Sequence, residues 1–323
     1  MAKNNKVLVN LVFLSLLIFG FLFSGFTSFA KDFPERDITF IVPYNVGGAT
    51  DIYVRTITNV LGKMLDVNVK VINITGGESI PAFNALQKEP ADGYTILAIG
   101  DGDLINTVLG RYDYRKITPI CVAQRDQSVY WVPKDSTFKD LNDVIKNAKE
   151  NPGKQKWTGG LQFEEIAVAI FTDAIGIDIV YSPYADSTQA NAALAGGFYD
   201  VGHEELGPML GLYKAGKVRP IVVIAEERLP SYPEIPTSVE YGIDVTLGRW
   251  RGLGVKSGTP KDIISELEKI IKKALDSEEY KALTKQSVTD QRPGFTPSEE
   301  AKEMMDKGYE QYKQVMKDLG MIE

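Results

Sequence analysis

Short apolar runs alternate with amphipathic stretches along almost the whole chain, the pattern of an α/β protein. Residues 37–42 read as a buried strand, followed by a glycine turn and a helix over 51–65. A strand over 67–72, a helix over 80–87 and a strand over 94–99 follow, and 120–122 with 128–132 continue the sheet. A second series then begins. It runs through a helix at 141–147 closed by Asn151-Pro152-Gly153, a strand at 156–158 and a helix at 164–175. Strands at 177–181, 199–202 and 219–225 alternate with helices at 187–195 and 206–215. Pro230, Pro233 and Pro236 hold the next loop extended. After a strand at 253–255, Thr259-Pro260 opens a helix in which Ile263, Leu267, Ile270, Ile271 and Leu275 recur at helical spacing. Ser298 is expected to cap the last helix, with Glu299 and Glu300 in its first turn.

Two similar series joined without a flexible linker imply two lobes, 31–132 plus 251–323 and 133–250. Hinge strands are expected near 129–133 and 250–255, with a ligand cleft between the lobes.

The first residues bear on compartment. Lys3 and Lys6 precede an apolar run over 7–26, and Ser28-Phe29-Ala30 has the small-x-small form of a cleavage site. These are the parts of a cleavable signal peptide over 1–30; the alternative is a retained membrane anchor, which would make the protein a tethered adhesin or scaffold. With no Cys at the end of the apolar run, lipid anchoring is not indicated, and the expected location is the periplasm. Removal of the two lysines takes the formal net charge from −7 to about −9. An acidic balance without a basic stripe argues against nucleic acid as a partner. Cys121, in an apolar stretch, reads as a small buried hydrophobe.

The strongest local signal lies between the first strand and the first helix: Tyr44, Asn45, Gly47, Gly48, Ala49, Thr50 and Asp51. Two glycines let the backbone bend with positive φ and let a ligand approach the main chain. The helix start offers unpaired N–H groups and the positive end of the dipole to an anion. Thr50 can add a hydroxyl, and Asp51 is expected to cap the helix. The third glycine of a dinucleotide fingerprint and the Gly-Lys-Ser/Thr ending of a phosphate loop are both missing. Read alone, the turn could equally do no more than reverse the chain.

Ile41-Val42-Pro43-Tyr44, Gly47-Gly48-Ala49-Thr50-Asp51 and Asp92-Gly93-Tyr94-Thr95-Ile96-Leu97 are followed in order by Tyr181-Ser182-Pro183-Tyr184 and Ala195-Gly196-Gly197-Phe198-Tyr199-Asp200. Together with the segment from Ala215 to Ile221, Arg228, Pro236-Thr237 and Gly258-Thr259-Pro260, this pattern resembles the tripartite tricarboxylate transporter receptors, the TctC or Bug family. The resemblance implies a two-lobed periplasmic-binding-protein fold, type II-like, that closes on its ligand. It implies no cofactor, no metal and no catalysis. It also implies that a small organic carboxylate is held by backbone amides and hydroxyls from two loops, then delivered to integral-membrane TctA/TctB-like subunits. The first loop would be the turn described above. The second would run through Gly160, Leu161, Gln162 and Phe163, with Tyr184, Asp186 and Ser187 beside it.

Gln162 and Phe163 replace the small hydroxyl pair usual in that second loop, and Glu78 stands where the family has Gly. Asp101, Asp103, Glu164, Glu204 and Glu205 also fall at expected cleft positions. They are either solvated charges and caps, or one or two of them bind an ammonium group, which would suit a zwitterionic, amino-acid-like solute. Asp101 and Glu204 are taken as site residues on that reading. Arg251 either pairs a ligand carboxylate or neutralises one of these acids, and Trp250 is core or a flat ligand wall.

The competing reading is a secreted hydrolase using acidic cleft residues. His203, the only histidine, reads as a polar loop residue and is too few for a catalytic zinc site. No Gly-x-Ser-x-Gly elbow is present, and Glu204 and Glu205 are sequence neighbours that point apart in an extended chain.

Overall fold

The computed structural model describes residues 33–323 apart from 161, 185, 186, 246 and 247. The expected signal peptide over 1–30, Leu161 and Asp186 therefore lie outside the described residues. Among the described residues no helix is long and apolar enough to cross a membrane.

The chain runs β1 (Ile38–Val42), α1 (Ala49–Met64), β2 (Val69–Asn73), α2 (Ile80–Lys88), β3 (Thr95–Gly100), α3 (Asp101–Val108), β4 (Ile117–Arg125) and β5 (Ser128–Pro133). It continues through α4 (Leu141–Glu150), β6 (Lys156–Gly159), α5 (Phe163–Ile175), β7 (Val180–Pro183), α6 (Ser187–Ala195), β8 (Val201–Glu205), α7 (Leu206–Lys214) and β9 (Val218–Val223). The last elements are β10 (Trp250–Lys256), α8 (Lys261–Leu275), α9 (Glu278–Ser287), β11 (Thr296–Pro297) and α10 (Ser298–Asp318).

Two sheets result, ordered β11-β4-β10-β3-β1-β2 and β7-β6-β8-β5-β9. In each, three strands are parallel: β2, β1 and β3 in the first, β7, β6 and β8 in the second. Each sheet also takes in one antiparallel strand from a chain that has just arrived from the other. β5 follows β4 and pairs with β8 and β9, while β10 follows β9 and pairs with β3 and β4. The change of sheet therefore falls at Asp126–Gln127 and before Trp250. The two expected hinge strands each lie inside one sheet, and β5, placed before the 132/133 boundary from sequence, pairs wholly within the second.

Why these segments take these forms is visible in their burial. β1 is buried on both faces, as a strand between two helical layers must be. In α8 the residues of the helical stripe, Ile263, Leu267, Ile270, Ile271 and Leu275, are all buried. Fully burying each such side chain contributes about 1.5–3 kcal/mol. Clusters of buried side chains cover both faces of both sheets. Two of them cross between lobes. Phe163, Ile166 and Ala167 of α5 pack with Leu104, Trp250 and Met305, and Val288 after α9 packs with Leu206 and Met209 of α7.

Several local expectations are corrected. His203 is not a loop residue: β8 starts two residues later than expected and runs to Glu205, with all five residues buried. Ser298 does not cap α10; it is the first helical residue, and its hydroxyl donates to Pro119 O at 2.6 Å. Helices α3 and α9 are additions to the elements expected from the sequence.

Candidate functional site: the cleft at the strand ends

The parallel strands of both sheets end where helices begin: β1 before α1, β3 before α3, β6 before α5 and β8 before α7. Ligands of open α/β sheets bind outside such carboxyl ends. Here the ends of the two sheets face each other, since Arg249 Nη2 donates to Glu164 Oε1 at 2.7 Å and Gln162 Nε2 to Asn106 Oδ1 at 3.5 Å. Two cavities flank the crossing, about 480 Å³ beside Trp250 and Tyr312 and about 340 Å³ beside Ala49, Glu205 and Arg251. A larger groove of about 850 Å³ lies beside Ile117, Ser257 and Ser298, away from the strand ends that gather the loops.

The first loop is braced from below. Gly47 has φ 82°, a left-handed value that favours glycine, whereas Gly48 is extended at −71°, so only one of the two glycines is needed for positive φ. The Gly47 amide donates to Asp51 Oδ2 at 2.9 Å and the Gly48 amide to Asn45 O at 3.2 Å. The first intrahelical bond runs from Ile52 N to Gly48 O, so the amides of Ala49, Thr50 and Asp51 are the helix-start donors left for an anion. Asp51 is not the cap. It sits buried inside the first turn and also accepts from Arg55 Nε at 2.9 Å and Asn73 Nδ2 at 2.8 Å. Burial alone would raise its pKa; the bonds from Arg55, Gly47 and Asn73 outweigh that and hold it below the usual value. Asn73 Nδ2 also reaches Tyr44 O at 3.0 Å, while the Tyr44 side chain and Asn45 remain exposed.

In the second loop Gln162 has φ 58° and ψ −95°, a strained backbone for a residue with a Cβ. Phe163 points into the buried cluster shared with the first lobe, and the Arg249 guanidinium lies 4.8 Å from its ring centroid. The Glu164 carboxyl folds back so far that a Cβ on Gly160 would stand 3.0 Å from it. Gly160 O accepts from Tyr181 Oη at 2.8 Å. Tyr184 bonds through its amide to Gly159 O and through its hydroxyl to Tyr199, and Ser187 opens α6 half-buried.

The acids are buried rather than solvated. Asp101 accepts from Trp250 N and Tyr312 Oη, both at 3.0 Å, and Asp103 from Gly100 N and Tyr112 Oη. Burial pushes each up to about 6 against those bonds. Glu164, Glu204 and Glu205 converge, with one carboxylate oxygen of each within 4.8 Å of the others. Arg249 binds Glu164 and also Glu205, the latter at 3.2 Å. Glu204 accepts from Asn191 Nδ2 and from the Glu205 amide. Arg251 pairs with Asp126, lies 4.0 Å from Glu205 and donates to Thr50 Oγ1 at 3.3 Å. Trp250 is core, 7 % exposed. Within Arg249-Trp250-Arg251, sequence reasoning assigned a role to Arg251 and none to Arg249, and it missed Asp126. Arg249 and Asp126 both flank a change of sheet, where a polar break between apolar runs was the available signal.

Burial first, then repulsion from Glu204 and Glu164, pushes Glu205 up to about 8 despite Arg249. Burial, with Arg249 second, takes His203 down to about 3, so its ring is neutral. A carboxylic acid with a raised folded-state pKa binds more protons folded than unfolded, so its effect on stability is lost as pH rises from its unfolded value through its folded one. Glu205 is such a group up to about pH 8, with Glu164 raised beside it, and melting temperature should fall as pH approaches that value. In Glu205→Gln the slope should flatten; an unchanged slope would assign it elsewhere.

The family model for the tripartite tricarboxylate transporter family receptor matches residues 53–321. A UPF0065 protein from the tcbD–tcbE intergenic region of Pseudomonas sp. strain P51 is 31% identical over 253 residues, 75% of either chain. A TctC solute-binding protein from Polaromonas shares the fold with TM-score 0.78 and 24% identity, covering 89% of this chain and all (100%) of that one. So does Rpa4515 of R. palustris, solved with adipate, with TM-score 0.76 and 24% identity over 90% of this chain and 99% of that one. With the matched region spanning most of both lobes, the chain belongs to the tripartite tricarboxylate transporter receptor family.

Proposed function

We propose that the protein is a periplasmic receptor that closes its two lobes on a small organic carboxylate and hands it to TctA/TctB-like membrane subunits. The carrying observation is the α1 start, where the amides of Ala49, Thr50 and Asp51 remain available on a loop that Asp51 and Asn73 hold rigid. Adipate in a structural relative is a ligand of the same class. Closure presents surfaces of both lobes together, which gives a carrier a readout of the liganded state.

Calorimetry with mono-, di- and tricarboxylates tests the reading, with small-angle scattering for compaction. Gly47→Val forces a β-branched residue into a left-handed conformation and should weaken binding of the best carboxylate at least tenfold while the protein stays folded. Unchanged affinity would remove the first loop from the site, and steady product formation would replace the receptor by an enzyme.

A further inference from the structure

Resting on that receptor reading, we infer that the solute is an aminocarboxylate whose ammonium group is received by the Glu164–Glu204–Glu205 cluster. The charges at the crossing do not balance. Fully ionised, Glu164, Glu204, Glu205 and Asp126 would carry two more charges than Arg249 and Arg251 beside them, an excess that is relieved in part by the proton Glu205 keeps until a cation takes its place. Buried carboxylates need a cationic partner. An ammonium donating three bonds of ~2.9 Å holds its acceptors roughly 4.5–4.8 Å apart, in keeping with the convergence of the three glutamates.

A second observation is independent of the acids. Ser128 Oγ and both ring nitrogens of His203 are buried and have no hydrogen-bond partner among the described residues. Ser128 stands directly opposite Glu205 in the β5–β8 pair, and His203 lies two residues before Glu205 on the same face. Orphaned polar groups on the face that carries Glu205 mark a place built for a polar occupant.

The cavity of about 340 Å³ connects this place to the first loop. Ala49, at the α1 start, and Glu205, which reaches it from the glutamate cluster, both line it; Ile52, Leu206, Pro208, Leu283 and Val288 form its apolar wall, and Gln124, Asp126, Arg251 and Gln286 its polar one. The arrangement fits a molecule with a carboxylate at the α1 amides, an aliphatic middle and an ammonium at Glu205. It also explains the second loop, where the Glu164 carboxyl already covers Gly160 and would repel a second anionic group.

Calorimetry with matched pairs separates this inference from the receptor reading: pentanoate against 5-aminopentanoate, and glutarate against glutamate. The amino member of at least one pair should bind ten or more times tighter. Glu205→Gln and Glu164→Gln should each reduce that preference, the ratio of affinities within a pair, at least fivefold. If plain carboxylates bind with no amino preference, or the preference survives both substitutions, the inference falls and the receptor stands. Binding of MnCl2 or CaCl2 alone, with loss of that binding in Glu205→Gln, would overturn it in favour of a metal site. No binding by any carboxylate would remove both readings. The wild-type pairs decide the matter even if a variant fails to fold.

Discussion

Arg249→Met should lower stability by about 3–5 kcal/mol at pH 8, the cost of leaving buried carboxylates without their partner. The guanidinium bonds Glu164 at 2.7 Å and Glu205 at 3.2 Å, and the two carboxylates are nearly buried. Methionine keeps the length and apolar stem of the side chain but not the charge. The loss should shrink towards pH 5. Glu164 and Glu205 already have raised pKa values with the arginine present, so without it both take up protons more readily as pH falls and the uncompensated charge disappears. Thermal melts of wild type and variant at pH 5 and pH 8 read this directly. A loss independent of pH would mean that Arg249 matters by packing on Phe163 and not by charge.

Asp51→Ala is the second large effect. One buried carboxylate holds the Gly47 amide, Arg55 and Asn73, and so ties the loop after β1 to the end of β2. Its loss leaves the Gly47 amide without its partner and removes one bond each from Arg55 and Asn73, which keep their bond to each other and the one from Asn73 to Tyr44 O. Arg55 is 42% exposed and recovers water, so the expected cost is about 2–4 kcal/mol, less than three fully buried losses would give. Binding should suffer more than stability, because an unbraced loop must be ordered by the ligand. At least a tenfold loss of carboxylate affinity is expected by calorimetry, with Asp51→Asn recovering part of it through Asn73. Full affinity in the alanine variant would show that the loop keeps its shape without the network.

Much of the layered architecture was readable from local pattern. The stripe of Ile263, Leu267, Ile270, Ile271 and Leu275 identified α8, and residues 187–195 were read as a helix with the bounds that α6 has. The turn from Tyr44 to Asp51 was singled out because its glycines, hydroxyl and helix start lie within a few residues of one another. By contrast α3 was missed, although Asp101 and Asp103 stand in its first turn and Asp103 accepts from the Gly100 amide. What the local sequence did not show is that both acids are buried, with Trp250, Tyr312 and Tyr112 as further donors. The same holds for His203, which became a buried strand residue because Tyr130 of β5 stands opposite it.

By itself the sequence determined the alternation of strands and helices, the anion-suited helix start and the family pattern, because each depends on neighbours a few positions apart. Only the tertiary structure decided that Asp51 braces rather than caps, that Arg249 rather than Arg251 gathers the cleft acids, and that β5 belongs to the second sheet. Arg249 and Glu164 are 85 positions apart. Their pairing exists because two sheets exchange one strand each and bring their carboxyl ends face to face, and a charge buried by that meeting has a partner set by the meeting, not by the residues beside it in the chain.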